Sequence, residues 1–193
     1  TSVASAPPPG LTADELESKG VDATRNGDFK LAIELLKKAV ELEPKHNSAW
    51  NYLGRAYFSD RQYEPAVAAF KKQIEINPYD EYAFNNLGLV YQQQQKYGDA
   101  VSAFQKQIEM NPLDKFAHAN LGATYIQMHK YKDAVPELEK ATSLRLDDAE
   151  LHVTLGTAYL NTGENDKAQA AFEKAVQISA SPITWNNIAF ELT

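Results

Sequence analysis

A chain of 193 residues with 44% hydrophobic and 23% charged residues is long and apolar enough to bury a core, which excludes wholesale disorder. Its 26 acidic against 19 basic residues leave a net charge of −7, the wrong sign for a binder of nucleic-acid backbones. Without cysteine there are no disulfides, thiol nucleophiles or cysteine-held metal sites, and the choice between cytoplasm and periplasm stays open.

In chain order, the first stretch carries Pro7, Pro8 and Pro9 among Ser and Ala, and reads as an extended linker over residues 1–12. Beyond it, Gly20, Gly54, Gly88, Gly122 and Gly156 recur at one constant interval. Leu53, Leu87, Leu121 and Leu155 precede the last four of these glycines, and Tyr57, Tyr91, Tyr125 and Tyr159 follow three places after. Ala32, Ala66, Ala100, Ala134 and Ala168 keep the period, each with Leu36, Phe70, Phe104, Leu138 or Phe172 four places on. Trp50, Leu53, Gly54 and Tyr57 share one helical face, and Ala66, Phe70 and Gln73 repeat that spacing on a second helix. Each unit is therefore a helix pair, and the predicted units are 13–46, 47–80, 81–114, 115–148 and 149–181, with 182–193 opening a sixth or capping the array.

The periodic glycine reads as a close-approach site, where a missing side chain repays a helix-propensity cost of about 1 kcal/mol and the small alanine of the second helix faces it. Asn77-Pro78 and Asn111-Pro112 end second helices, because the residue before proline is pushed out of the α region. Pro65 falls in a first turn, whereas Pro136, inside a helix due to start near Tyr131, predicts a kink or a late start. Gln73 and Gln107 replace a small residue, and either find partners in a buried position or stay partly exposed. The longest apolar runs, such as Ala66 to Phe70, are far below the roughly 20 residues that cross a bilayer.

These residues at this spacing resemble the tetratricopeptide repeat family, with its 34-residue period and W-L-G-Y-A-F-P pattern. The resemblance covers nearly everything after the first dozen residues. It departs from the pattern in the first unit, which has Leu16 and Ala23 in place of aromatics, and at Leu146, where a proline is expected. It implies an all-α fold, an α-solenoid in which antiparallel helix pairs form a right-handed superhelix, and a segment of a larger, bacterial-type protein.

Catalytic and nucleotide-binding motifs of the Walker, G-x-G-x-x-G, H-E-x-x-H and G-x-S-x-G kinds do not occur. Asp147-Asp148 and Asp80-Glu81 stand at unit junctions, where acidic residues cap helices. His118 and His152 occupy the place of Trp50 and Phe84, too far apart by about 8–10 Å of helix spacing to share a metal, and read as packing residues. His46 and His129 read as junction or turn residues. We expect no enzyme activity, metal or cofactor.

In this family the first helices line the concave face. The resemblance therefore puts Asn51, Tyr52, Arg55, Tyr82, Asn85, Asn86, Leu89, Phe116, Asn120 and Gln127 in a groove almost without charge, continued by Thr154, Thr157, Asn186 and Asn187. Chaperone-binding members grip a terminal carboxylate with Lys, Asn and Arg. Here those places carry Asn51, Arg55, Asn86, Phe116 and Asn120, and only the central asparagine matches. Asn86, Asn120 and Asn187 are instead similar to the asparagine ladder of sugar-transferring superhelices, where an amide donates to and accepts from a peptide backbone at once. The same asparagines equally suit a bond to a neighbouring helix or water. The resulting expectation is a scaffold that binds an extended or helical peptide of a protein partner. The alternative is self-assembly through Trp185, Ile188 and Phe190 of an uncovered last helix.

Overall fold

The computed structural model describes residues 10–80, 82–144, 147–181 and 184. These residues form ten helices and no strand. They are α1 (Ala13–Arg25), α2 (Phe29–Leu42), α3 (Asn47–Ser59), α4 (Tyr63–Ile76), α5 (Ala83–Gln93), α6 (Tyr97–Met110), α7 (Lys115–Gln127), α8 (Tyr131–Leu144), α9 (Ala149–Thr162) and α10 (Asn165–Ile178). Consecutive helices pack as pairs, α1 with α2 through α9 with α10. The chain divides into two compact units, one ending at Asp80 and one beginning at Glu81.

Helix starts follow from local chemistry. Thr12 and Glu15 form a reciprocal capping box on α1, satisfying two otherwise unpaired N–H groups. Asp28 accepts from the Leu31 N–H at 3.1 Å, and Asp148 from the Leu151 N–H at 3.1 Å. The second helices of the five pairs start at Phe29, Tyr63, Tyr97, Tyr131 and Asn165, in strict register with the repeat. Pro136 therefore sits inside a helix that begins on schedule at Tyr131, not a late one.

In the first unit, the core joins Leu16, Ala32, Leu36, Leu53 and Ala69, with Trp50 and Tyr57 packed against it. In the second, Ala100, Phe104 and Leu121 form one cluster, and Leu138, Leu155, Tyr159 and Phe172 belong to another. The periodic glycines make the pairs possible, and what lies nearest to them is a large side chain, with the Ala134 carbonyl also within 3.5 Å of a Cβ on Gly122. A Cβ on Gly54 would stand 2.7 Å from the ring of Phe70, and one on Gly20 would stand 2.6 Å from Leu36. The large residue four places beyond the alanine fills the space, because a fully buried ring needs a flat backbone surface to lie on.

Each turn inside a pair passes through one left-handed residue: Gly27, Arg61, Gln95, His129 and Gly163, with φ between 56° and 83° and again at the repeat interval. Glycine fits this conformation freely and other residues resist it, so three of the five turns carry strain.

Gln73 and Gln107 are both buried rather than partly exposed, at 1% and 0%. Their surroundings differ. Gln107 Nε2 donates to Asp114 Oδ2 at 2.8 Å, a bond Gln73 does not make, while the amide oxygens Gln73 Oε1 and Gln107 Oε1 are alike buried without a hydrogen bond among the described residues.

Candidate functional site

The residues expected to line a groove fall into both units. In the first, Asn51 and Tyr52 on α3 are half-buried and Arg55 is exposed. The Arg55 guanidinium stands 5.5 Å over the Tyr52 ring, a cation–π contact that fixes both side chains on one face of the helix.

The second unit carries the rest. Tyr82 stands at the start of α5 and Phe116 in the first turn of α7; they are 55% and 50% exposed. Together they line a cavity of about 320 Å³, which Leu113, 64% exposed, also borders. The three large side chains form an exposed apolar patch on the second unit. The Lys115 ammonium lies 5.4 Å from the Phe116 ring centroid, adding a cation at the rim.

Asp114 also lines this cavity, so a carboxylate stands beside the aromatic rings. Its carboxylate serves the fold: Oδ1 accepts from the N–H groups of Phe116 at 2.9 Å and Ala117 at 3.1 Å, and Oδ2 accepts from Gln107. This cap sets the direction in which α7 leaves the turn and so where Phe116 points. Leu113, Asp114 and Lys115 were absent from the expected lining because they lie in the turn before α7 and at its first residue, and helical periodicity says nothing about turns or helix ends.

Deeper along the first helices, α5 packs against α7 and α7 against α9. Asn120 Nδ2 donates to Asn85 Oδ1 at 3.0 Å, linking α7 to α5 side chain to side chain. The Asn85 amide hydrogens and Asn120 Oδ1 keep capacity for another partner. Next to them, Gln92 Nε2 donates to Thr124 Oγ1 at 3.2 Å, and Thr124 donates to the Asn120 carbonyl at 2.6 Å. Asn86 and Leu89 are half-buried on α5, and Gln127 is exposed at the end of α7. On α9, Thr154 and Thr157 turn their hydroxyls onto the Glu150 and Val153 carbonyls of their own helix. Asn186, Asn187, Trp185, Ile188 and Phe190 lie outside the described residues.

The histidines are integrated into packing. The Pro112 carbonyl accepts from His118 Nε2 at 3.0 Å, and Glu137 Oε2 lies 2.6 Å from its Nδ1. Glu137 replaces the alanine found in this place at Ala69, Ala103 and Ala171 and supplies the carboxylate that His118 meets. His46 meets Asp14 at 2.8 Å, and His129 meets the Tyr131 hydroxyl at 2.9 Å. Among the described residues, no group of three or more acidic or histidine side chains is placed to hold a metal ion. No described helix is long and apolar enough to cross a membrane.

Paired helices of similar length, recurring at one interval and packed through glycine, define a helical-hairpin repeat protein. The chain belongs to the tetratricopeptide repeat family: family profiles match residues 18–81, 82–112 and 127–182. Its fold is similar to a crystal structure of MamA, at 24% identity over 87% of this chain and 92% of that one, with a TM-score of 0.78. It is also similar to MamA from residue 41 to the end from Desulfovibrio magneticus RS-1, at 21% identity over 90% and 98%, with a TM-score of 0.80. A third likeness is YrrB, described as a TPR protein with an unusual peptide-binding site, at 19% identity over 94% and 92%, with a TM-score of 0.75. At these identities the likeness is one of fold. No curated protein sequence matches the chain significantly.

Proposed function

We propose that this chain is a non-enzymatic protein-interaction scaffold, and that its second unit holds a peptide segment of a partner on the face made by the starts of α5 and α7 and the amides behind them. Tetratricopeptide arrays are an interaction architecture, and YrrB, which shares the fold, is described as having a peptide-binding site. The carrying observation is the placement of Tyr82 and Phe116, one period apart, both half-exposed and lining the same cavity beside Leu113. Apolar side chains of an extended or helical segment pack on this patch, where desolvation supplies the affinity. The Asn85 amide hydrogens and Asn120 Oδ1 then meet a main-chain carbonyl and N–H, which holds a backbone regardless of its sequence.

The test begins with partners captured on this chain and identified by mass spectrometry. Affinity of the purified partner is then compared between wild type, Tyr82→Ala with Phe116→Ala, and Asn85→Ala with Asn120→Ala. The aromatic pair should cost about 2 kcal/mol or more, the scale of an interface anchor, and the amide pair less. Equal affinity in the aromatic double variant, with its circular dichroism unchanged, would place binding on another face.

A further inference from the structure

Tyr57, Tyr125 and Tyr159 hold one repeat position on α3, α7 and α9, and at a fixed distance before them, on the preceding second helix, stand Lys37, Gln105 and Glu139. In the second unit these pairs are closed. Gln105 Nε2 donates to the Tyr125 hydroxyl at 3.3 Å, and the Tyr159 hydroxyl donates to Glu139 Oε1 at 2.5 Å. Their flanks are filled as well: Glu137 meets His118 beside the first, and the Lys167 ammonium stands 5.1 Å from the ring centroid of Tyr159 in the second.

In the first unit the same slot is open. Lys37 stands where Gln105 and Glu139 do, Pro65 replaces Lys167, and Ala69 replaces Glu137. The short side chains leave a cavity of about 480 Å³ lined by α2, α3 and α4. Its apolar wall is Val40, Trp50, Leu53 and Ala69, and its rim carries Lys37, Glu41 and Lys72. That volume and that mixture of an apolar interior with a few polar groups are typical of binding sites. Lys72 is held by Glu75 at 2.9 Å. Lys37 makes no ion pair, and the Tyr57 hydroxyl no hydrogen bond, with any described residue. The site lies in the first unit, apart from Tyr82 and Phe116, and does not depend on the reading given to them.

We propose that this slot binds a protein partner through a peptide segment that seats an aliphatic side chain on Trp50, Leu53 and Ala69 and sets the carboxylate of a neighbouring residue against the Tyr57 hydroxyl and the Lys37 ammonium. The carboxylate takes from outside the role that Glu139 plays toward Tyr159 from within. Charge sets the specificity: Lys37 attracts one carboxylate, while Glu41 at the same rim repels a second, so a single acid beside an aliphatic residue fits better than an acidic run.

The probe is a set of acetylated, amidated pentapeptides with Leu-Glu, Leu-Lys or Ser-Glu at their centre, titrated into the ¹⁵N-labelled chain. The readout is the Trp50 indole N–H and the backbone amides of α2 and α4. The Leu-Glu peptide should shift these signals saturably, and the other two should bind about tenfold more weakly. Lys37→Glu, a substitution at an exposed position, should reverse the order of Leu-Glu and Leu-Lys. Ala68→Gln, which fills the slot from another exposed position, should abolish the shift. The proposal is overturned if no peptide moves these signals, if Lys37→Glu leaves the order unchanged, or if Ala68→Gln binds as wild type does.

Discussion

A Cβ on Gly88 would stand 2.6 Å from Cε1 of Phe104, closer than carbon atoms approach without something giving way. Phe104 is fully buried in the core of the second unit, so its ring has nowhere to go. Alanine is the better helix former by about 1 kcal/mol, yet overpacking of this kind costs about 1–3 kcal/mol. Gly88→Ala should therefore destabilise the second unit, and Gly88→Leu should do so severely. Combining Gly88→Ala with Phe104→Leu should cost less than the sum of the two singles, as a double-mutant cycle in urea would show; strict additivity would mean the two residues do not meet.

The left-handed turn residues predict a gain. Arg61 and Gln95 hold φ near 60° and 58°, where a side chain is opposed by about 1–2 kcal/mol and glycine is not. Part of that relief is returned through the greater freedom of glycine in the unfolded chain. Arg61→Gly and Gln95→Gly should each raise stability by about 0.5–1 kcal/mol, read from denaturation midpoints. Gly27→Ala, at the equivalent turn, should lower it.

Asp114 joins two helices, capping α7 and holding Gln107 of α6. Asp114→Ala loses the cap and withdraws a buried bond from the glutamine, a loss of about 2–3 kcal/mol in unfolding free energy. Asp114→Asn keeps one acceptor for the cap and should fall between the two. If the alanine variant unfolds like wild type, the cap contributes nothing.

Burial first, and then the bond to Glu139, hold the Tyr159 hydroxyl protonated well above the ordinary tyrosine range. The unfolded chain gives up this proton near pH 10, before the folded one does, so the folded state binds more protons as pH rises. The stabilisation is whole below about pH 10 and is lost as pH climbs from there toward the raised folded value. Burial also pushes Tyr125 up, with Asp133 and Glu137 adding to the effect, and contributes in the same direction. Tyr159→Phe should flatten the alkaline limb of a stability–pH profile; an unchanged limb would mean that the hydroxyl is solvated.

Much of this protein was legible in the sequence. The constant repeat interval, the glycine–leucine pairs and the apolar spacing specify helix pairs, because each pattern follows from a single helix burying one face. Tyr82 and Phe116 were legible as lining candidates through the family resemblance alone. Their shared cavity with Leu113 was not, because it forms where a turn brings separate segments together.

Local sequence thus determined where helices begin, which faces are apolar and that the units repeat, since these depend on contacts a few residues apart. Tertiary structure decided what faces what. It laid the Phe104 ring directly on Gly88, gave Gln107 but not Gln73 an acidic partner in Asp114, and left the slot beside Tyr57 open while Tyr125 and Tyr159 closed theirs. Side chains from different helices settle each of these by size and hydrogen bonding at contact distance, and repeat spacing carries no information about that.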